Sequence, residues 1–199
     1  KVEYFQADFA GMVPGLQASR MDMITAGLLI TDERCESLSM SAAANVLIYQ
    51  FAVKPGNPKG LKSIADLLED DSILVLEAAT TQERLAREIL PDNKIITVSS
   101  RQDGVDAVRI GRADAYLAPG DNIAQVLASG GDKLDLTDPV TDMPKIGSCF
   151  VFRTDDADFS TAFAEDFAEM RASGEYAEIM DKYGADPARI DMPGVKLSC

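Results

Sequence analysis

An arginine that follows a glycine-containing loop is the first candidate for chemistry in this sequence of 199 residues. Arg34 lies on the short helix that we predict after the strand-like segment Met21–Ala26 and the loop residue Gly27. Its planar guanidinium could hold a carboxylate through two hydrogen bonds, and exposed loop amides could assist it. A surface ion pair with a neighbouring acid also explains Arg34, and the residues alone favour that simpler explanation.

A helix start near the middle of the chain is the second candidate. The segment Glu77–Glu83 consists of a strand end followed by two threonines, a glutamine and a glutamate. Thr80 or Thr81 is a natural N-cap, and Glu83 completes a capping box if Thr80 is the cap. The same helix N-terminus could hold an anion through its free amides and a threonine hydroxyl. Capping accounts for these residues by itself, so both explanations stay open.

The composition excludes several kinds of function. The chain has 33 acidic and 19 basic residues, a net charge of −14, and no histidine. A strongly negative surface disfavours binding to nucleic acid and to anionic membranes, and histidine is the usual general base and zinc ligand. The acidic runs Glu69–Asp71 and Asp155–Asp158 lack the spacing of a calcium loop. We therefore predict no cofactor, no metal and no nucleic-acid partner.

Short apolar segments alternate with amphipathic ones along the chain, which is typical of an α/β fold. The predicted strands are Val2–Ala7, Met21–Ala26, Val46–Val53, Ile73–Leu76, Lys94–Val98, Ala113–Ala118 and Ser148–Arg153. The predicted helices are Gly11–Ser19, Ser63–Leu68, Gln82–Ile89, Arg101–Ile110, Asp121–Ala128, Phe159–Ala172 and Glu175–Lys182.

One turn sequence occurs twice, as Arg20-Met21-Asp22 and as Arg112-Ala113-Asp114, each time between a helix and a strand. Such turns are common in α/β proteins, so the repeat has an ordinary explanation. A more specific explanation of the repeat is a pair of similar lobes that present strand ends to a shared crevice. The strands Val46–Val53 and Ser148–Arg153 would then join the lobes as a two-strand hinge. The expected domains are 1–47 plus 150–199 for lobe I, and 48–149 for lobe II.

Four segments, taken in order, resemble the periplasmic solute-binding proteins of polar amino-acid ABC importers. They are Asp8–Leu16, Thr25–Arg34, Ala79–Glu83 and Gly111–Ala115. Each segment is weak evidence alone, but four in the right order across the chain are specific. The resemblance implies a periplasmic-binding-protein-like fold of two α/β lobes joined by a two-strand hinge. It also implies that lobe I lacks the family's first strand and helix, which have no counterpart before Lys1.

Within that family, the chain resembles the ectoine and hydroxyectoine receptors. The features that carry this resemblance are Glu33–Glu36, Lys54–Leu61, Ala128–Asp132 and the terminal Cys199. It implies a disulfide between Cys35 and Cys199, which an oxidising periplasm permits. A Cys149–Cys199 pair is the alternative, because three cysteines do not decide the pairing.

The family pattern, carried onto this sequence, implies a set of ligand-binding residues: Phe9, Ala26, Gly27, Leu29, Arg34, Ala79, Thr80, Thr81 and Asp121. In this set Arg34 would take the carboxylate of the ligand. Phe9 would form an aromatic wall against a delocalised positive charge on the ligand.

Two positions in this sequence depart from the family pattern. Pro119 stands where the family has the acidic residue for the cationic group of the ligand. Asp121, two residues further on, could replace it or could simply cap the following helix. Leu29 occupies a position that is aromatic in ectoine receptors, so the identity of the ligand stays open.

The function that the resemblance implies is that of an extracytoplasmic receptor of an ABC importer. We expect a periplasmic monomer, with its signal peptide outside this chain, that is not an enzyme. It would capture a small zwitterionic carboxylate between its lobes and deliver it to a membrane permease; ectoine, hydroxyectoine and polar amino acids are the candidates. The alternative is an enzyme on the same fold, such as a dehydratase acting on a carboxylated ring. Without histidine, Glu77 or Asp121 would be its acid or base.

Overall fold

The structure is a computed structural model that describes residues 1–69, 71–129 and 134–199. The chain forms two compact units: unit 1 comprises 1–12 and 48–144, and unit 2 comprises 13–47 and 145–199. The expected domains differ from these units in residues 1–12 and 145–149. Asp70 of the first acidic run, and residues 130–132 of the Ala128–Asp132 motif, lie outside the described residues. No helix in the described ranges is long and apolar enough to cross a membrane.

Seven helices and nine strands make up the described part of the chain. In chain order they are α1 (Phe9–Gln17), β1 (Ile24–Leu29), α2 (Asp32–Ser37), β2 (Ser39–Met40), β3 (Asn45–Leu47), β4 (Tyr49–Val53), β5 (Leu74–Glu77), α3 (Thr81–Ile89), β6 (Ile95–Val98), α4 (Arg101–Arg109), β7 (Ala115–Pro119), α5 (Gly120–Ser129), β8 (Asp135–Leu136), β9 (Ile146–Phe152), α6 (Ala157–Ser173) and α7 (Glu175–Lys182). Short 3₁₀ turns lie at Ala65–Leu68, Asp92–Lys94 and Pro187–Arg189.

Unit 1 contains a mixed sheet with the strand order β6-β5-β7-β4-β8. The neighbours of β5 are parallel to it, whereas β4 runs antiparallel to β7 and β8. Apolar residues of β4, β5 and β7 pack against α4 and α5, with Val75, Val105 and Tyr116 fully buried. The parallel strands place the starts of α3, α4 and α5 at one edge of this sheet, the edge where ligands bind in such folds.

Unit 2 is built around β9, which pairs antiparallel with β1, β2 and β3. Phe150 and Phe152 of β9 contact the aromatic side chains of α6, with Phe163 at ring-centroid distances of 5.0 and 5.1 Å. Phe167, which also belongs to α6, is buried. Aromatic contacts at helical spacing therefore join α6 to the sheet.

Side-chain caps define where three of the helices begin. Thr31, Thr80 and Ser100 each accept a hydrogen bond from the amide three residues further on, at the starts of α2, α3 and α4. Each cap satisfies an amide that has no partner inside the helix. Gly174, in the left-handed conformation with φ of 86°, ends α6. The local sequence thus fixes these helix boundaries.

Three predicted elements are corrected by the structure. The strand Val2–Ala7 is wrong: residues 1–8 pair with no described strand, and the side chains of Val2, Tyr4 and Phe5 are exposed. The strand Val46–Val53 is divided at Ile48, because its first part pairs with β9 and its second with β7. The helix Ser63–Leu68 is a shorter 3₁₀ turn.

The cysteines of unit 2 are present in two states. Cys35 and Cys199 form a disulfide with a Cα–Cα distance of 5.7 Å, inside the usual range. Cys149 is free and buried on β9. Burial raises the pKa of the Cys149 thiol to about 12, which makes it a poor nucleophile.

We predict that Gly104→Ala destabilises the protein by about 1–3 kcal/mol, the usual cost of overpacking a core. A methyl group at Gly104 of α4 would meet Cε2 of the buried Tyr116 ring at 2.5 Å. Gly11→Ala in α1 is the matched control, because no atom lies within 4 Å of its added methyl. Chemical denaturation measures both changes. Equal free energies of unfolding for the Gly104 variant and the native chain would contradict this packing.

Thiol labelling tests the cysteine arrangement. With iodoacetamide we expect no labelled cysteine in the folded chain, one in the unreduced chain in guanidinium chloride, and three after reduction. The physical reason is that Cys149 reacts only when unfolding exposes it and lowers its pKa. Mass spectrometry of the digested chain counts the labels. Label on Cys35 or Cys199 before reduction would contradict the disulfide.

Candidate functional site

In unit 2, the strand β1 carries three of the predicted ligand-binding residues. Its pairing with β9 is irregular between Ile24 and Leu28, and Gly27 within this bulge has a φ of 72°. A side chain at residue 27 would be strained at this φ, although an added Cβ would lie 3.9 Å from the nearest atom, in Ser148. Backbone conformation, rather than space, therefore requires glycine here. Ala26 and Gly27 are both half-buried.

Arg34 is held to the strand that precedes its helix. Its Nη1 donates a hydrogen bond to the carbonyl oxygen of Leu29 at 3.1 Å, and its amide donates to Thr31 Oγ1 at 3.3 Å. The Leu29 side chain is buried in the core, so its carbonyl is the group through which it acts on Arg34. The guanidinium is half-buried, and its positive charge lowers the pKa of Cys149 slightly against the larger effect of burial. Arg34 thus has a fixed orientation at the end of β1.

In unit 1, α3 begins with a variant of a capping box, in which Thr80 is the N-cap and Glu83 bonds back to the residue before it. The hydroxyl of Thr80 donates to the Glu77 carbonyl at 2.7 Å and accepts from the Glu83 amide at 3.3 Å. Glu83 Oε2 accepts in turn from the Ala79 amide at 2.7 Å. Ala79 has a φ of 61°, an uncommon conformation for a residue with a side chain. The capping explanation of this segment is therefore correct, and the amide of Ala79 and the hydroxyl of Thr80 bond within the chain.

The first turn of α3 nevertheless keeps the properties of an anion site. Thr81 and Gln82, its first two residues, are buried. The amides at these two helix positions have no acceptor inside a helix. The helix dipole adds a partial positive charge at the same place. The structure therefore brings Thr80 and Thr81 to a position where a carboxylate would be stabilised.

Glu77 lies at the end of β5, and only 9% of its surface is exposed. Burial raises the pKa of this carboxyl, Arg101 lowers it, and the nearby negative charge of Asp8 raises it. Arg101 compensates the charge weakly, since its Nε is 3.8 Å from Glu77 Oε2. Beneath it, the hydroxyl of the buried Tyr116 has no hydrogen-bond partner among the described residues. Burial and the Glu77 charge both raise the pKa of Tyr116.

The remaining predicted residues lie near the same edge of unit 1. Pro119 ends β7 and is buried, and Asp121 is exposed in the first turn of α5. Phe9 is the first residue of α1 and is half-buried. Its neighbour Asp8 is close enough to influence Glu77 electrostatically, which places this segment near the end of β5.

The structure adds two residues to the candidates that the sequence indicated. The sequence indicates Glu77 only as an acid or base and Gln82 only as part of a motif, yet both are buried beside Thr80 and Thr81. A signal for Glu77 was present in the sequence. It is a glutamate directly after the apolar run Ile73–Leu76, where a central strand reaches the edge of its sheet.

The chain is similar to known proteins along most of its length. Residues 1–186 match the family described as bacterial extracellular solute-binding proteins, family 3. A probable amino-acid ABC transporter periplasmic-binding protein of Sinorhizobium fredii, y4tE, is 32% identical over 195 residues. That match covers 95% of this chain and 65% of the relative, so the chain spans slightly less than two thirds of its length.

Solved structures also resemble this one, including the two that follow. The crystal structure of EhuB in complex with hydroxyectoine has a TM-score of 0.85 at 33% identity, and the match covers 92% of this chain and 73% of that one. The ancestral amino acid-binding protein AncCDT-1, a precursor of cyclohexadienyl dehydratase, has a TM-score of 0.80 at 26% identity. Here the match covers 92% of this chain and 77% of that one.

We predict that Glu77→Gln stabilises the protein at pH 7, because it removes a poorly compensated charge from a buried position. A gain of about 1 kcal/mol raises the Tm by about 2–4 °C in a chain of this size. Because the pKa of Glu77 is raised in the folded state, protonation of Glu77 stabilises the folded chain relative to the unfolded chain. This stabilisation is lost as the pH rises through the folded-state pKa. The difference between variant and native chain should therefore shrink below the ordinary pKa of 4.5.

Scanning calorimetry between pH 4 and pH 8 measures this difference. Glu88→Gln is the matched control, since Glu88 is exposed and pairs with Arg84 on the surface of α3; its Tm should change little. A Glu77→Gln variant that unfolds at a lower temperature than the native chain at pH 7 would show that the charge is stabilised where it lies.

Proposed function

The chain belongs to family 3 of the bacterial extracellular solute-binding proteins, and from this premise we propose that it is the solute-binding receptor of an ABC importer. The family match confirms the family and the α/β, periplasmic-binding-protein-like fold class predicted from the motifs. The proposed ligand is a small zwitterionic carboxylate, either ectoine or hydroxyectoine or a polar amino acid. The similarity to EhuB, whose structure contains hydroxyectoine, and to an amino-acid ABC transporter protein supports this ligand class.

The observation that carries the proposal is the fixed orientation of Arg34. A guanidinium held at a set angle can pair with a carboxylate through two parallel hydrogen bonds. The Leu29 carbonyl, which accepts a hydrogen bond from Nη1 at 3.1 Å, provides that orientation. Because less side-chain entropy is lost on binding, a fixed arginine binds more tightly than a mobile one. We therefore assign the ligand carboxylate to Arg34, with the backbone at Ala26 and Gly27 beside it.

Unit 1 would contribute to binding through the first turn of α3. Its amides and dipole suit an anionic or polar group. The Thr80 hydroxyl bonds within the chain, so we assign ligand contact to Thr81 and to backbone amides of this turn.

The cationic group of the ligand needs a different environment. Phe9 would offer an aromatic face to a delocalised positive charge. Pro119 leaves the family's usual acidic position without a charge, and Asp121 and Glu77 are two acids at this edge of unit 1. Either one would pair with a cationic group, and a buried carboxylate such as Glu77 would gain most from such a partner.

The proposal extends to the place and partners of the protein. The relative from Sinorhizobium fredii is described as a periplasmic-binding protein of an amino-acid ABC transporter. By analogy this chain would work in the periplasm as a monomer, and deliver its ligand to the membrane permease of the importer. A net charge of −14 suits a diffusing carrier that has no nucleic-acid partner.

An enzyme on the same fold is the second candidate. One observation favours it: AncCDT-1, at 26% identity, is described as a precursor of cyclohexadienyl dehydratase. The buried Glu77, with its raised pKa, is the group that could move a proton. Turnover of a carboxylated ring, without a stable complex, would favour this function over transport.

Isothermal titration calorimetry tests the proposed receptor. We expect the native chain to bind at least one of ectoine, hydroxyectoine, L-arginine and L-glutamine. We expect Arg34→Ala to weaken binding by about 100-fold, since truncating one partner of a buried charge pair costs about 2–5 kcal/mol. Arg34→Lys should restore a small part of the affinity, because an ammonium lacks the planar fork.

Arg20→Ala is the matched control for this experiment. Arg20 is an exposed arginine of the same unit, in the turn that follows α1, and its loss should leave the affinity unchanged. Normal binding by Arg34→Ala would refute the assigned role. No heat with any of the four ligands at millimolar concentration would count against the ligand class itself.

A further inference from the structure

The helix that carries Arg34 has little packing of its own. α2 has six residues, and none of them is buried. Isolated helices of this length are unstable in water, and most helical stability in proteins comes from packing an apolar face. Something other than α2 itself must therefore hold Arg34 in place.

Residues 191–199, which we call the C-terminal strap, contact α2 at two points. Lys196 Nζ forms an ion pair with Asp32, the first residue of α2, and its hydrogen bond lowers the pKa of that carboxyl. Cys199 forms the disulfide with Cys35. Arg34 lies between these two attached positions.

The strap is itself fixed to the sheet of unit 2. The carbonyl of Leu197 accepts a hydrogen bond from the Ala43 amide at 2.7 Å. The carbonyl of Lys196 passes so close to Gly147 of β9 that an added Cβ there would lie 2.7 Å from it. The Gly147 carbonyl accepts in turn from the Ile30 amide at 2.9 Å, next to the end of β1. The strap thus connects α2 to the same strand that supports β1.

A second attachment lies at the start of the strap, away from α2. Asp191 forms an ion pair with Arg171 of α6. Arg171 also lies over the ring of Phe167, 5.8 Å from its centroid. The two attachments can be removed separately, because one acts on α2 and the other on α6.

We propose that the C-terminal strap positions Arg34 for ligand binding, with Lys196 and Cys199 as positioning residues. The idea rests on the proposed function in one respect, namely that Arg34 binds the ligand. The strap supplies the rigidity that α2 lacks, so the guanidinium meets the ligand already oriented. Without the strap, α2 would open locally, since elements with few buried contacts open first.

Hydrogen exchange of the full chain tests the hold on α2 without any ligand. The amides of Arg34, Cys35 and Leu38 bond to Thr31 Oγ1, Thr31 O and Arg34 O. We expect them to exchange at least about tenfold faster in Cys199→Ser than in the native chain, and by a smaller factor in Lys196→Ala, because the Lys196–Asp32 pair is exposed. The amide of Ala78, which bonds to the Val98 carbonyl in unit 1, should be unaffected. Unchanged exchange in α2 would overturn the proposal.

Calorimetry with hydroxyectoine and with L-arginine tests the consequence for binding. We expect Cys199→Ser to bind about tenfold more weakly and Lys196→Ala to lose a smaller factor. Lys196→Arg should keep native affinity because it keeps the ion pair. Asp191→Asn is the matched control: it removes an exposed ion pair at the start of the strap, away from α2, and should leave the affinity unchanged. Equal losses of affinity in all variants would indicate general destabilisation and overturn the proposal.

The two experiments separate this proposal from the proposed function. Faster exchange in α2 with unchanged affinity would overturn the positioning role, although the receptor function would stand. A native chain that binds none of the four ligands at millimolar concentration would count against the ligand class. The exchange of the Arg34 amide would then decide alone whether the strap holds this residue.

Discussion

The pairing of β9 with three other strands is the constraint on which unit 2 depends. β1, β2 and β3 all pair with β9 and have no other strand partner in the described structure. The position of Arg34 follows from this pairing, because its guanidinium bonds to the last residue of β1 and the strap lies against Gly147. A shift of β9 by one residue in this pairing would turn every side chain of β9 to the opposite face of the sheet. The position of the candidate carboxylate site and the packing of the unit 2 core therefore both depend on the register of β9.

Unit 1 combines two opposing electrostatic features at one edge of its sheet. The starts of α3, α4 and α5 favour negative charge there, whereas the partly compensated carboxylate of Glu77 favours positive charge. A ligand with both charges would satisfy both features. This is the physical basis for proposing a zwitterion as the ligand, whose cationic group would be a closer partner for the buried glutamate than Arg101 is. The same glutamate keeps an enzymatic function open as the alternative.

The family and many helix starts could be read directly from the sequence. Thr80 with Glu83, and Ser100 with Asp103, are local signals, because a capping box involves residues only three apart. The strand prediction Val2–Ala7 failed for a non-local reason. Its alternation predicts a half-buried strand, but a strand also needs a pairing partner, and no described strand pairs with residues 1–8. Alternation alone does not supply that partner.

The sequence by itself determined the family, the α/β class, the caps and the residue types able to bind a carboxylate. Only the tertiary structure decided what surrounds them. The strap lies against Gly147 of β9, Arg101 approaches the buried Glu77, and Cys35 joins Cys199, 164 residues away. Caps depend on near neighbours in the chain, so their pattern is visible in the sequence. Burial, pKa and the support of a short helix depend on residues that are distant in sequence and adjacent only after folding.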